Sequence, residues 1–222
     1  MDDIVGQVVA KLKSKQMWSN VLLLGWSDNG GPSFAGDSAA TPGTANNSPL
    51  RGAKTTNWEG GVRTNAFVSG PWLKRVAPST IGTKKTGRVH LCDVYATLAG
   101  IAGVDPTDHR AAAAGLPPVD SLDMMPYWTG KSSESPRRSI HHDPNALSVG
   151  DLKILTGKMV AACWSGNKYP NASGYLSVGL SVGKSSVTSW PGGYQTSWVD
   201  PACNTTVECG DRGCLFSAQP SR

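Results

Sequence analysis

An acidic residue and an amide residue stand side by side in residues 27–31, whose sequence is S-D-N-G-G. The carboxylate of Asp28 and the side-chain amide oxygen of Asn29 are ligands that a hard cation such as calcium takes in proteins. Calcium needs roughly 6–8 oxygen ligands, so these two residues can supply only part of a site. Taken alone, Asp-Asn-Gly-Gly is also an ordinary turn sequence. The segment therefore predicts either a partial calcium site or a turn.

Three cationic residues lie farther along the chain, in the Gly-rich segment N-N-S-P-L-R-G-A-K-T-T-N-W-E-G-G-V-R of residues 46–63. They are Arg51, Lys54 and Arg63. Cations on such a loop could bind an oxyanion. Solvated charges on an ordinary surface loop would give the same pattern, so this segment alone leaves both interpretations open.

The histidines offer a further possible ligand cluster, in which His141 and His142 precede Asp143. Neighbouring side chains on an extended segment point to opposite faces, which disfavours joint ligation. His90 and His109 show no metal-ligand spacing with them. We therefore expect structural roles for the histidines, and we expect His90 to pack against its helix or cap it.

Regular elements flank these polar segments and must position them. Residues 3–17 carry apolar residues at helical spacing and predict an amphipathic helix. Residues 21–25 form an apolar run without alternation, which predicts a strand buried on both faces. A helix followed by such a strand favours an α/β sheet, and residues 64–69 predict another short strand. The S-D-N-G-G segment then follows the end of a strand, where open α/β sheets bind ligands.

The rest of the chain predicts a second helix and a hairpin. Residues 88–102 have helical periodicity, and Gly103 is placed to cap the helix at its carboxyl end. Residues 146–156 predict a hairpin that turns at Gly-Asp. We therefore expect an α/β region in residues 1–130 and a smaller strand-and-loop region in residues 131–222.

The composition is that of a globular protein, with 222 residues, 39% of them hydrophobic and 17% charged. The net charge is +5, but the basic residues are scattered, which excludes a nucleic-acid-binding tail. A mildly basic surface suits an anionic substrate, although it is equally typical of a solvated surface. The longest apolar run, residues 21–24, is too short to span a membrane.

The cysteines and glycosylation acceptors indicate a compartment. Four cysteines cluster among glycines and serines and predict disulfide-bonded loops with three possible pairings: Cys163, Cys203, Cys209 and Cys214. Cys92 lies in a helical pattern and predicts a buried thiol. Three N-x-S/T acceptors occur: Asn46, Asn171 and Asn204. The acidic residues after Met1 exclude a signal peptide, so either the protein is intracellular or Met1 is not its natural start. The cysteines and the acceptors favour the second alternative, a secretory-pathway glycoprotein, lysosomal or extracellular, whose N-terminus is missing.

The order and separation of three motifs resemble a known family. S-D-N-G-G, P-L-R-G-x-K and W-E-G-G-V-R together resemble type I sulfatases, and the arylsulfatase B-like branch is the nearest match. The segment H-L-C-D-V-Y-A-T-L-A-G-I-A-G and the segment V-G-D-L-K-I-L-T-G are also similar to this family. The resemblance covers residues 1–158 and corresponds to the C-terminal half of such an enzyme. It implies an α/β, alkaline-phosphatase-like sulfatase fold that is incomplete and ends in a small strand-and-loop subdomain.

The resemblance also implies roles for particular residues. Asp28 and Asn29 correspond to calcium ligands, and Lys54 corresponds to a lysine that binds a sulfate oxygen. Residues 58–63 would hold the loop that presents Lys54. The implied activity is calcium-dependent hydrolysis of sulfate esters, with a sulfated small molecule or a sulfated glycan as the partner.

One departure from the family concerns the nucleophile. Family members use formylglycine, made from a cysteine in a C-x-P-x-R or C-x-A-x-R motif, and none of the five cysteines here has that context. We therefore expect no catalytic nucleophile in this chain and no turnover by the chain alone. Gly25 and Trp26 are also unusual before the S-D-N-G motif. The alternatives are a related phosphoesterase of the alkaline phosphatase superfamily and a non-catalytic pseudo-sulfatase fragment.

Overall fold

The structure is a computed structural model that describes residues 2–31, 47, 50–160 and 206–218. Contacts within the chain define two compact units, one of residues 1–25 and 66–140, the other of residues 26–65 and 141–222. The three glycosylation acceptors, Cys163 and Cys203 lie outside the described residues. The domain boundary predicted at residue 130 refers to the domains of a complete sulfatase, and it stays a prediction.

Six helices and six strands occur in the described residues. The helices are α1 (Asp2–Ser14), α2 (Glu59–Val62), α3 (Pro71–Val76), α4 (Asp93–Ala102), α5 (His109–Ala113) and α6 (Met125–Trp128). The strands are β1 (Leu23–Trp26), β2 (Ala66–Ser69), β3 (Ser139–Asp143), β4 (Ala146–Val149), β5 (Leu152–Val160) and β6 (Thr206–Ser217). Short 3-10 turns occupy Trp18–Asn20 and Pro78–Thr80. In the described part of the chain, none of the helices combines the length and apolarity needed to cross a bilayer.

Helix α1 confirms the amphipathic helix predicted near the N-terminus. Acidic residues occupy its first turn and lysines its last, which suits the helix dipole. It ends because Gln16 adopts a left-handed conformation with φ 57°. The Met17 amide then donates to the Leu12 carbonyl at 3.0 Å, as in a Schellman motif.

Strand β1 corrects the prediction that residues 21–25 are buried on both faces. Its residues are half-buried, and Trp26 at its end is exposed. Among the described residues, β1 pairs only with β2 in a two-stranded sheet, and the elements around this sheet leave its strands partly exposed. The ring of Phe67 on β2 packs over Gly25, where a side chain would collide with it.

Helix α4 begins at Asp93, five residues later than the predicted start at residue 88. The residues before it instead form a turn that side-chain hydrogen bonds stabilise. The His90 amide donates to Asp93 Oδ2 at 2.7 Å, and the Cys92 amide donates to His90 Nδ1 at 3.4 Å. Gly103, with φ 69°, caps the other end. The predicted cap at Gly103 is therefore confirmed, whereas the N-cap residue is Cys92 and His90 lies in the turn before it.

A buried ion pair joins α4 to a later segment of the same unit. The Asp93 side chain is fully buried and accepts from Arg137 Nε at 2.7 Å and from Arg137 Nη2 at 2.6 Å. The Leu122 amide also donates to Asp93 Oδ1, at 3.0 Å. Arg137 itself is 7% exposed, so both charges lie in the interior and each satisfies the other.

The Cys92 thiol is half-exposed, so the prediction of a buried thiol is wrong. Its position just before the first turn of α4 leaves one side open to solvent. The sulfur lies 2.9 Å from His90 Nδ1 and donates to the Asp120 carbonyl at 2.7 Å. Partial burial, together with the negative charge of Asp93, raises the pKa of the Cys92 thiol.

The second unit contains a four-stranded sheet in the order β3-β4-β5-β6. The predicted hairpin is confirmed, since β4 and β5 are antiparallel and Val149 pairs with Leu152 across a two-residue turn. Gly150 opens this turn with φ 51°, a conformation that glycine adopts without strain. Strand β6 pairs antiparallel with the other edge of β5.

A small apolar core lies against this sheet. Its buried members come from four segments of the second unit: Trp58, Ala146, Leu155, Met159 and Cys209. A disulfide joins Cys209 to Cys214, which confirms a disulfide-bonded loop for this pair of the predicted cysteine cluster. The register between β5 and β6 shifts on either side of Gly157, opposite the segment that the disulfide closes.

Candidate functional site

Backbone hydrogen bonds bring the three predicted motifs together within the second unit. The Gly30 amide donates to the Gly61 carbonyl at 2.8 Å. The Lys54 amide donates to the Gly31 carbonyl at 3.1 Å. The S-D-N-G-G segment therefore lies directly beside both the turn of Lys54 and the W-E-G-G segment.

The motif glycines permit this close approach. A Cβ atom at Gly30 would collide with the carbonyl oxygen of Gly60. A Cβ atom at Gly61 would collide with the carbonyl oxygens of Ala53 and Thr56. Any larger residue would push these backbones apart, so the spacing of the site depends on glycine at these positions.

Asp28 and Asn29 occupy an irregular bend immediately after β1. Asp28 is exposed, and its Oδ1 accepts a hydrogen bond from the Asn29 amide at 2.9 Å. The side-chain nitrogen of Asn29 donates to the Gly30 carbonyl at 2.7 Å, which leaves its Oδ1 for another partner. Both side chains thus offer oxygens of the kind that calcium binds.

The donor set fits calcium in type but not in number. The structure's described residues contain no group of three or more His, Cys, Asp or Glu side chains placed to hold a metal ion. Asp28 and Asn29 would supply two of the roughly 6–8 oxygens that calcium takes. Any calcium site here therefore needs further oxygen ligands beyond these two side chains.

Lys54 lies in a tight and strained turn. The Thr56 amide donates to the Ala53 carbonyl at 3.1 Å and closes the turn around Lys54 and Thr55. Thr55 has φ 73°, a left-handed conformation that is rare for a β-branched residue. Such strain costs about 1–3 kcal/mol and is common at functional sites.

The two arginines of the predicted cation cluster serve the packing of the second unit. Arg51 lies over the ring of Trp58, with 4.1 Å from its guanidinium carbon to the ring centroid, and desolvation by burial lowers the pKa of Arg51. Arg63 donates to the Ala218 carbonyl at 3.0 Å and lies 3.8 Å from the Glu59 carboxylate. Both cations therefore have internal partners.

Lys54 differs from these arginines. Within the part of the chain that the structure describes, its ammonium group makes no hydrogen bond or ion pair. Only its backbone is fixed, through the bond to Gly31. Of the three predicted cations, Lys54 is thus the one to which the described part of the chain gives no side-chain partner.

The histidine pair lies on β3 next to Asp143. His141 is exposed, whereas His142 is half-buried with Nε2 2.9 Å from the Ser148 hydroxyl. Asp143 accepts hydrogen bonds from the Asn57 side chain and from the Asn145 amide. His142 and Asp143 therefore have separate structural partners.

Sequence reasoning missed a buried lysine behind the site. Lys153 on β5 is 2% exposed, and its ammonium lies 2.5 Å from Glu59 Oε1 and donates to the Asn57 carbonyl at 2.9 Å. The available signal was the strand alternation, because Lys153 shares a face with the fully buried Leu155. A lysine on the core side of a strand predicts a buried partner.

Comparisons with known proteins agree on one family. The family model described as Sulfatase matches residues 1–104. Arylsulfatase J of Mus musculus is 30% identical over 216 residues, which cover 86% of this chain and 34% of that protein. Steryl-sulfatase of Mus musculus is 30% identical over 146 residues, covering 66% of this chain and 22% of that protein. This chain therefore spans about a third of the length of the first relative and about a fifth of the second.

The fold agrees as well. The PsFucS1 sulfatase from Pseudoalteromonas sp. superposes with a TM-score of 0.56 at 24% identity, covering 97% of this chain and 34% of that chain. The predicted alkaline-phosphatase-like sulfatase fold, present in part, is confirmed by this structural similarity. The motifs, the fold and the relatives lead to one conclusion: the chain belongs to the sulfatase family.

Proposed function

We propose that this chain is part of a calcium-dependent sulfuric ester hydrolase in which Lys54 binds a sulfate oxygen. Asp28 and Asn29 would be two of the calcium ligands. The observation that carries the proposal is the 3.1 Å hydrogen bond from the Lys54 amide to the Gly31 carbonyl. This bond keeps Lys54, whose ammonium group has no side-chain partner among the described residues, on a turn adjacent to the two oxygen donors.

The chemistry follows from the charges. Cleavage of a sulfate ester builds negative charge on oxygen, and a fixed cation in the site stabilises that charge. The Lys54 ammonium would do so while it orients the sulfuryl group. Calcium, when bound, would polarise a sulfuryl oxygen as a Lewis acid. Asp28 and Asn29 would hold the ion on the same side as Lys54.

The substrate class and compartment belong to the same proposal. The solved structure of Ps i-CgsB, 26% identical with a TM-score of 0.51 over 68% of this chain, contains k-i-k-neocarrahexaose. We therefore favour a sulfated glycan over a sulfated small molecule as the substrate. The Cys209–Cys214 disulfide supports a glycoprotein of the secretory pathway, lysosomal or extracellular. Residues 1–130 would belong to the catalytic domain and residues 131–222 to the smaller subdomain.

The 222-residue chain by itself should turn over no sulfate ester, because it contains no C-x-P-x-R or C-x-A-x-R motif. A fluorogenic aryl sulfate measures this directly. Release of sulfate by the purified chain, lost on Lys54→Ala, would contradict the expectation. Sulfate binding, by contrast, does not need the nucleophile and tests the proposed site itself.

The decisive experiment is a sulfate titration of the ¹⁵N-labelled chain at constant ionic strength, followed by NMR. We expect shifts of the Lys54 and Gly31 amides. Lys54→Ala removes a charge-assisted hydrogen bond worth about 1.5–3 kcal/mol, which weakens binding about 10- to 150-fold. Lys158→Ala is the matched control, since Lys158 is an exposed lysine of the same unit. Equal sulfate affinity in both variants would refute the site, and a preference for phosphate would favour the phosphoesterase alternative.

A further inference from the structure

The buried ion pair between Lys153 and Glu59 lies directly behind the turn that carries Lys54. We propose that Lys153 and Glu59 are positioning residues, which hold this turn in the conformation that binds sulfate. The inference rests on the proposed function, because it concerns how Lys54 is presented to an anion. It goes beyond that function by adding Lys153, and by identifying its ion pair with Glu59 as the contact that positions the turn.

Lys153 is held firmly on the sheet. It lies on β5 between Ser148 of β4 and Phe216 of β6, and both of these neighbours are paired with it in the strand register. Its side chain is 2% exposed, yet its ammonium binds both Glu59 Oε1 and the Asn57 carbonyl. A buried ammonium group is tolerated only with such partners, so its position fixes residues 57 and 59.

Residues 57 and 59 are in turn fixed to the Lys54 turn by short stretches of backbone. The turn closes at Thr56, one residue before Asn57. On the other side, the Gly60 amide donates to the Arg51 carbonyl at 2.7 Å and closes residues 51–60 into a compact loop. The Asn57 side chain also binds Asp143 on β3. The loop of residues 51–60 is therefore held against the sheet at the residues that follow Lys54 and the strained Thr55.

The polar nature of the contact between Lys153 and Glu59 indicates that it orients the Lys54 turn and does not only stabilise the fold. Two apolar side chains of similar size would stabilise a buried contact as well as an ion pair, or better. Apolar contacts have no direction, whereas the ammonium donates separately to a carboxylate and to a carbonyl oxygen. It therefore fixes the rotation of the backbone at residues 57–59, and with it the direction in which the preceding turn points.

The test removes both charges at once, because an unpaired buried charge would disturb the fold. The double variant Glu59→Gln/Lys153→Met keeps side-chain volume and leaves no buried ion. The matched control is Lys158→Met, which removes a lysine of the same strand whose partner Glu208 is 3.9 Å away and 69% exposed. Urea unfolding reports the stability of each variant, and the NMR titration reports its sulfate affinity.

We expect the double variant to fold and to bind sulfate about tenfold more weakly or worse, since misplacing a binding group is costly, while Lys158→Met binds like the wild type. Wild-type affinity in the double variant, with binding lost in Lys54→Ala, would overturn this inference and leave the proposed function intact. Sulfate binding that survives Lys54→Ala would overturn both. A double variant that fails to fold would also overturn the inference, because the pair would then maintain the fold rather than the turn.

Discussion

The two units of the chain each contain an aspartate within a family motif, and the two carboxylates have opposite surroundings. Asp93 in the first unit is fully buried and accepts hydrogen bonds from Arg137, His90 and Leu122. Asp28 in the second unit is exposed and accepts one hydrogen bond from the next residue. A carboxylate whose lone pairs are used internally holds elements together, whereas one with spare lone pairs can bind a cation.

The cations repeat this contrast. Hydrogen bonds to Asp93 raise the pKa of Arg137 further above its ordinary value, so its charge is permanent, and it binds the buried Asp93 carboxylate. Lys54 has no ion pair among the described residues. A charged residue with several internal partners, such as Arg137, stabilises the fold. A charged residue with few internal partners, such as Lys54, is a candidate for ligand binding.

The largest predicted effect on the free energy of unfolding is at the buried ion pair of Asp93 and Arg137. Arg137→Met leaves the buried carboxylate of Asp93 without its main partner, which should lower the free energy of unfolding by about 3–5 kcal/mol. Urea denaturation followed by circular dichroism measures this change. If the free energy of unfolding fell by less than about 1 kcal/mol, the buried Asp93 carboxylate would not need Arg137 as a partner. The contrast between Asp93 and Asp28 would then no longer hold.

The control for that prediction is the next residue along the chain. Arg138 is 79% exposed and pairs with Glu134, which is 70% exposed. Because solvent screens such pairs, Arg138→Met should change the free energy of unfolding by no more than about 1 kcal/mol. The two adjacent arginines thus separate the effect of burial from the effect of losing a positive charge.

A smaller and stabilising effect is expected at Thr55. Thr55→Gly relieves the left-handed strain of a β-branched residue and should raise the free energy of unfolding by roughly 1 kcal/mol. Gln16 provides the comparison in the first unit, because it is also left-handed but not β-branched. Gln16→Gly should stabilise less. An equal or larger gain at Gln16 would show that the turn of Lys54 carries no special strain.

Local signals in the sequence predicted much of the fold. The acid-first, lysine-last pattern gave α1, and the Gly103 cap and the Gly150 turn were located correctly because each depends on a few neighbouring residues. The burial of β1 was predicted wrongly, because burial depends on which distant strands and helices cover a sheet. A run of apolar residues cannot report that.

In the candidate site, too, the residues could be predicted from the sequence, whereas the contacts between them could not. The types and order of its residues identified Asp28, Asn29 and Lys54, and these roles stay predictions. The bonds from Gly30 to Gly61 and from Lys54 to Gly31 join residues far apart in sequence, which no local pattern encodes. The partners of Lys153 were hidden for the same reason, although strand alternation indicated the face on which it lies.

The half-exposed thiol of Cys92 gives a prediction about pH. Since burial and Asp93 raise its pKa, alkylation by iodoacetamide should become fast only at a higher pH than for an ordinary cysteine. Above the ordinary cysteine pKa the unfolded chain loses this proton first, so stability should decline there as pH rises. Mass spectrometry of the alkylated chain across pH measures the midpoint. A midpoint at or below that of a free thiol would contradict the assigned surroundings.

The smallest effect on stability is expected at Asp28, and it is the sharpest test of the comparison. Asp28→Asn preserves the shape of the side chain and the oxygen that accepts from the Asn29 amide, so the free energy of unfolding should change by less than about 0.5 kcal/mol. Asp93→Asn, measured in parallel by urea denaturation, should cost several times more because it weakens a buried ion pair. If Asp28→Asn proved as costly as Asp93→Asn, the Asp28 carboxylate would be a structural group. Its spare lone pairs could then no longer be assigned to a cation.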